Sequence, residues 1–216
     1  MNAELISLFT AAFVTFFVLI DAVGVAPIFA TMTGHGPPAY RRKMAIKSTI
    51  VASMIIFAFA FGGAWLLGAM HISIDAFRAA GGVLLFIIAL DMVFEKRTER
   101  REHRAEAAME EHGDGPELDD VSVFPMGIPM IAGPGTIATA MFYMSDVASW
   151  AERGVVLAAI ALNLLIVLVI FLAAGPIIRA MGQSVAGALT RILGVILAAL
   201  SVQLLIDGIK GAFGLA

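Results

Sequence analysis

The chain has 216 residues, 60% of them apolar and only 14% charged, with a net charge of −3 and a mean hydropathy of +0.94. Soluble domains carry roughly 45–50% apolar and about 25% charged residues. Fifteen of the 31 charged side chains lie between residues 95 and 120, so too few remain elsewhere to cover a water-facing surface. The length suits one domain, and the composition puts that domain in a membrane. There is no cysteine, which excludes disulfides and thiolate chemistry. The lack of a basic patch argues against a nucleic-acid partner. No Lys or Arg precedes Arg41, so the first apolar stretch is expected to be a retained membrane helix, not a cleaved leader.

A bilayer core of about 30 Å needs about 20 apolar residues in helical form. By that measure the expected fold is all-α, with six transmembrane helices near residues 5–33, 46–69, 74–94, 123–145, 154–178 and 188–210. The first carries Asp21, the third carries Asp75, Arg78 and Asp91, and the sixth carries Arg191, Asp207 and Lys210. Residues 95–122 form a charged linker whose first half is rich in helix formers, so the third helix is expected to run on into it. His103 and His112 in that linker match no metal-ligand spacing. Eleven basic residues flank the 1–2, 3–4 and 5–6 connections and three flank the opposite side. The excess assigns the linker 95–122 to the cytoplasm and both termini to the outside of an inner membrane.

Sliding the chain by 113 residues pairs Ala60 with Ala173, Gly62 with Gly175, Arg78 with Arg191, Gly81 with Gly194 and Leu84 with Leu197. A shift of 109 pairs Gly24 with Gly133, Ile28 with Ile137 and Met32 with Met141. The expected plan is therefore a 3+3 repeat: about 5–94, the linker, then about 123–213. Three spans per copy force the second copy to enter the bilayer inverted. Such repeats recur in secondary transporters, whose sites lie where paired Gly/Pro-interrupted helices meet near the midplane.

Spans 1 and 4 carry those interruptions. In the first, Asp21 is a costly intramembrane carboxylate, by insertion scales about 2.5–3.5 kcal/mol. Gly24 and Pro27 follow it, and Pro27 frees the carbonyl of Val23 from helical pairing. In the second, residues 125–135 hold Pro125, Gly127, Pro129, Gly133, Pro134 and Gly135, which cannot continue one helix. Gly-Pro-Gly followed by Thr136 and Thr139 reads as a loop opening a new helix, whose first amides face an anion. Asp21 opposite that helix start would supply the two poles a zwitterion needs. Asp21 is equally a candidate carrier of a coupling proton. Asn163, deep in the fifth span, either lines the cavity or bonds between helices. Arg78 and Arg191, near helix starts at opposite faces, either snorkel to the headgroups or act in gating.

At Asp21–Phe29 (DAVGVAPIF), His71–Phe94 and Phe124–Ala138 (FPMGIPMIAGPGTIA) the chain resembles the MarC family of bacterial integral membrane proteins, over essentially its whole length. The family's first motif usually opens Asp- or Asn-Pro and carries an asparagine after its glycine. Here Ala22 replaces that proline and Val25 the asparagine. Members include a transporter of small neutral amino acids. The resemblance thus implies a small neutral amino acid such as alanine or glycine as substrate.

The functional expectation is a secondary transporter or exporter working by alternating access, in contact with the lipid bilayer. Its substrate site would comprise Asp21, Gly24, Pro27, Pro129, Gly133, Pro134, Gly135, Thr136, Thr139 and Asn163, with no cofactor and with H+ or Na+ as candidate coupling ions. A homo-oligomer is compatible with the small residues on its helices. The rival is a non-transporting scaffold acting through the charged linker. An enzyme is not expected, because no hydrolase or metalloprotease motif is present.

Overall fold

Asp21 divides the first apolar stretch in two. In a computed structural model of the chain, which describes residues 2–34, 36–94, 100, 103 and 120–214, helix α1 (Asn2–Ile20) ends there and α2 (Ala22–Thr33) begins. The next elements are α3 (Pro38–Ala69), α4 (Ile74–Val93), a wide-wound segment α5 (Ser122–Ile131), α6 (Pro134–Asp146), α7 (Trp150–Leu172) and α8 (Ala174–Phe213). Every element among the described residues is helical. The expected continuation of the third helix through residues 95–112, with His112, lies outside the described residues except at Arg100 and His103.

The starts and stops follow from local chemistry. Pro38 opens α3, where a missing N–H costs nothing. Ser73 caps α4 by accepting from the Ala76 amide at 3.2 Å. Ser149 and Glu152 form a reciprocal capping box at the head of α7. Arg41 reaches back to the end of α2, donating from Nε to the Thr33 carbonyl at 3.2 Å and from its terminal nitrogen to that of Gly34 at 2.6 Å. A cation on the last carbonyls of a helix favours that end.

Two boundaries differ from the sequence reading. Helix α7 stops at Leu172, not near 178, and α8 starts at Ala174 and runs unbroken for 40 residues, where a connection at 179–187 was expected. The cause is Pro176, which cannot donate to the Leu172 carbonyl and would clash with it, so the chain turns at Ala173 and reuses proline in the first turn of the next helix. Helix α3 likewise begins eight residues before its expected span, with Arg41, Arg42, Lys43 and Lys47 in its opening turns.

Among the described residues five helical stretches, α1 with α2 counted as one, are long and apolar enough to cross a membrane, and six if α5 and α6, bent by 57°, count as one span. The outward faces carry large apolar side chains such as Phe61, Leu165 and Val195, which suits lipid. Trp65 and Trp150 are also exposed, near the end of α3 and at the start of α7. Inside, Phe29 of α2 stacks on Phe171 of α7 at 4.3 Å, and Phe16, Ile56, Met126 and Ile160 fill the centre.

The neighbour pattern is similar in the two halves. α1 and α2 pack on α7 as α5 and α6 pack on α3, and α4 packs on α8 along most of its length. The α4–α8 pair is antiparallel and close. A Cβ on Gly82 would come 2.8 Å from the Ser201 carbonyl, and one on Gly194 would come 3.1 Å from the Ala89 carbonyl. Glycine is what lets these backbones touch.

Candidate functional site

The second Gly/Pro segment forms one wall of a cavity. In α5, Phe124 and Ile128 are extended, and the peptide bonds to Pro125 and Pro129 are cis. Neither proline has an N–H, so the turns close through wider bonds, from Met126 N to Val121 O at 3.3 Å and from Ala132 N to Gly127 O at 2.9 Å. The chain then turns at Ala132 and Gly133, and Pro134 opens α6. No side chain caps that start. Pro134 has no donor, and the Ile137 amide bonds the Gly133 carbonyl at 3.0 Å, which leaves the Gly135 and Thr136 amides of the first turn without a hydrogen bond among the described residues.

Those residues border a cavity of about 240 Å³ shared with α1 and α4. Pro129, Gly133, Pro134, Gly135 and Thr136 contribute from the interrupted segment; Leu19, Leu84, Ile87 and Ile88 give it apolar walls. Asp91 and Arg100 supply its charge, joined by a hydrogen-bonded ion pair. Gly135 lies against α4, where an added Cβ would come 2.6 Å from Ile88 Cδ1. Thr139, one turn on, is 2% exposed and its hydroxyl has no hydrogen-bond partner among the described residues; it does not belong to the lining. Between α1 and α6, the Thr15 and Tyr143 hydroxyls meet at 3.1 Å and hold the two helices together.

Asp21, Gly24 and Pro27 are not among the lining residues. Asp21 is 1% exposed and adopts the left-handed conformation, φ 51° and ψ 54°, which Asp tolerates better than most residues. Its carboxylate accepts the Gly24 amide at 3.2 Å and so caps α2. A Cβ on Gly24 would fall 2.8 Å from the Asp21 Cγ, so glycine is needed for the carboxylate to sit where it does. From α8 the Thr190 hydroxyl, 4% exposed, donates to the same carboxylate at 3.3 Å. Pro27 lies within α2, and its own carbonyl accepts from the Thr31 hydroxyl at 3.0 Å.

Asp21 is thus outside the cavity wall, although Leu19, two residues before it, is part of that wall. Asn163 does not line the cavity either. It is 2% exposed and its Nδ2 donates to the Phe13 carbonyl at 3.1 Å and to the Ala159 carbonyl at 2.9 Å, a tie between α7 and α1. Arg78 does more than reach for headgroups. Its guanidinium pairs with Asp75 at 3.2 Å and with Asp146 at the end of α6, and lies 5.4 Å from the centre of the Phe142 ring. Arg191 is exposed on α8, next to Thr190.

Three residues escaped the sequence reading: Asp91, Arg100 and Thr190. Asp91 stands near a helix end and Arg100 inside a charged run, positions that ordinarily mean solvent. A better signal was available for Thr190, since the 113-residue shift pairs it with Phe77 and marks a polar substitution at an apolar place. Among the described residues no three His, Asp or Glu side chains converge as a metal site requires.

Comparison with known proteins adds a family. The model of the MarC family integral membrane proteins matches residues 6–213. The UPF0056 membrane protein MJ1677 of Methanocaldococcus jannaschii is 36% identical over 94% of this chain and 97% of its own. The UPF0056 membrane protein YvbG of Bacillus subtilis is 32% identical over 93% of each, and YhcE of Escherichia coli 31% identical over 93% of this chain and 91% of its own. No solved structure matches the chain.

Proposed function

The chain belongs to the MarC family of integral membrane proteins, and from that premise we propose that it is a secondary transporter of a small neutral solute, with a small neutral amino acid such as alanine or glycine as cargo. The observation that carries the reading is the cavity at the head of α6. Interrupted backbone is tolerated at membrane depth only where it is buried in protein or lines a cavity, and here it does the latter. About 240 Å³ is below the roughly 300–1,000 Å³ of sites for drug-sized ligands, so the cargo is small.

The mechanism is alternating access between two inverted repeats, residues 5–94 and 123–213, with both termini outside and the linker 95–122 cytoplasmic. The similar helix contacts of the two halves support it, as do corresponding interruptions at Asp21 and at Ala132–Gly133. In this reading the α6 amides receive the substrate carboxylate. Asp21, bonded to Thr190 of the other repeat, holds the coupling proton or Na+. Neutralising Asp21 would change how the repeats are tied without touching the cavity.

Counterflow in proteoliposomes tests this. Liposomes preloaded with unlabelled alanine, glycine and serine are given external labelled alanine. The expected result is accumulation with the wild type, none with Gly135→Val, whose branched side chain fills the cavity, and a reduced level with Asp21→Asn. A folded, monodisperse wild type that accumulates no more than empty liposomes overturns the amino-acid reading.

A further inference from the structure

Among the described residues Asp91 is the one carboxylate in the wall of the α4–α6 cavity, and its side chain is only 14% exposed. A carboxylate so placed must keep a cation beside it. In this structure the cation is Arg100, whose own side chain is 59% exposed. An ion pair with one member mostly in solvent is weak and readily exchanged. We propose that Asp91 is the residue that receives the ammonium group of the transported amino acid, and that Arg100 is the counter-ion it displaces. The inference rests on the transporter reading of the same cavity and assigns its second pole.

The register of α4 against α6 puts the two poles together. The helices run antiparallel, with Arg78 meeting Phe142 and Asp146 at one end and Ile88 meeting Gly135 farther along. Continuing that register brings Asp91 level with Gly133, and both border the cavity. Asp91 is three residues from Ile88, less than one helical turn of about 5.4 Å. A bound amino acid would thus have its carboxylate at the Gly135 and Thr136 amides and its ammonium at Asp91, while its short side chain meets Leu84 and Ile88. Thr136 supplies a second, independent pointer: it borders the cavity at 3% exposure, and its hydroxyl makes no hydrogen bond among the described residues.

Exchanging one cation for another keeps Asp91 compensated. A hydroxy acid of the same shape does not, because it leaves either the carboxylate unpaired or Arg100 in the way. The site therefore selects the amino group itself. A purely structural Asp91–Arg100 pair, anchoring the chain after α4, makes no such distinction.

Counterflow of labelled alanine in proteoliposomes separates the two. Asp91→Asn is expected to raise the KM for alanine by at least about tenfold, the loss of one charge-assisted bond, and Asp91→Glu to recover part of it. Arg100→Gln is expected to lower the KM several-fold, because the competing cation is gone. Lactate should not compete with alanine in the wild type. If the wild type carries alanine but Arg100→Gln and Asp91→Asn keep its KM, or lactate competes as well as alanine, the Asp91 assignment is overturned while the transporter reading stands. If the folded wild type carries no alanine, the transporter reading itself falls. Should Asp91→Asn not fold, Asp91→Glu and Arg100→Gln decide, since an unaltered KM in both rejects the proposal.

Discussion

Arg78 near the start of α4 is clamped to Asp146 at the end of α6, at the opposite end of the helix pair from the cavity. The guanidinium is 18% exposed and also holds Asp75 and the Phe142 ring, so it ties two helices with one side chain. If the alternating-access mechanism proposed above holds, this clamp closes one face and the cavity, at the Asp91 end, belongs to the other.

Releasing that clamp should open the closed face. The chain has no cysteine, so a single Thr139→Cys reporter, at a position 2% exposed, reads accessibility cleanly. In the otherwise wild-type protein the thiol should react slowly with a small water-soluble maleimide. Adding Arg78→Gln should speed labelling several-fold and lower thermal stability by about 1.5–3 kcal/mol, the range for hydrogen bonds to charged groups. Equal labelling rates in the two backgrounds would show that the clamp does not control access.

At the other interruption, Gly24 and Asp21 can be separated by substitution. Gly24→Ala puts a Cβ into the space of the carboxylate, which must then leave the α2 amide and Thr190. Overpacking of this kind costs about 1–3 kcal/mol. Asp21→Asn should cost less, since asparagine accepts the left-handed backbone and still caps a helix. The check is thermal unfolding in detergent. Gly24→Ala matching the wild type, with Asp21→Asn well below it, would reverse the ranking and the cap argument with it.

The all-helical, membrane-spanning character and the irregular course of residues 125–135 were legible because they are local. Apolar run length fixes the first, and prolines without donors fix the second. What stayed hidden depends on approach across the fold. Thr190 reaches Asp21 from 169 positions away, and neither residue predicts the other. Asp91 looked like an ordinary helix-end carboxylate until α6 came level with it. Arg78 looked like a headgroup contact because its partner Asp146 lies on a helix whose start, not its end, drew notice. Asn163 was open between two roles that only the proximity of the Phe13 carbonyl separates.

That Asn163 bond makes its own prediction. Polar bonds between membrane helices contribute on average about 0.6 kcal/mol and at most about 1.7. Asn163→Ala should lower stability by that order and leave the KM for alanine unchanged, because the side chain holds α7 to α1 and not the cargo. Parallel melting curves and counterflow titrations check it. A changed KM at unchanged stability would return Asn163 to the substrate path.

The entry to α5 is fixed by Asp120, which accepts from Lys47 of α3 and, at 3.1 Å, from the Ser122 amide. Burial raises the Asp120 pKa, but the donors from Lys47 and Ser122 outweigh it, and the net value falls below the ordinary 3.8. A carboxylate depressed on folding adds stability that is complete above its unfolded pKa and is lost as pH falls through the folded value. Because the Asp120 side chain is 46% exposed, screening holds the effect to under about 1 kcal/mol. The thermal midpoint of Lys47→Gln should therefore fall slightly below that of the wild type at neutral pH, with the gap closing in acid as pH falls below 3.8 and through the depressed folded value, where Asp120 is protonated in both proteins. A gap that persists unchanged into acid would assign the difference to Lys47 packing in α3, and the link to Asp120 would carry no weight in holding α5 in place.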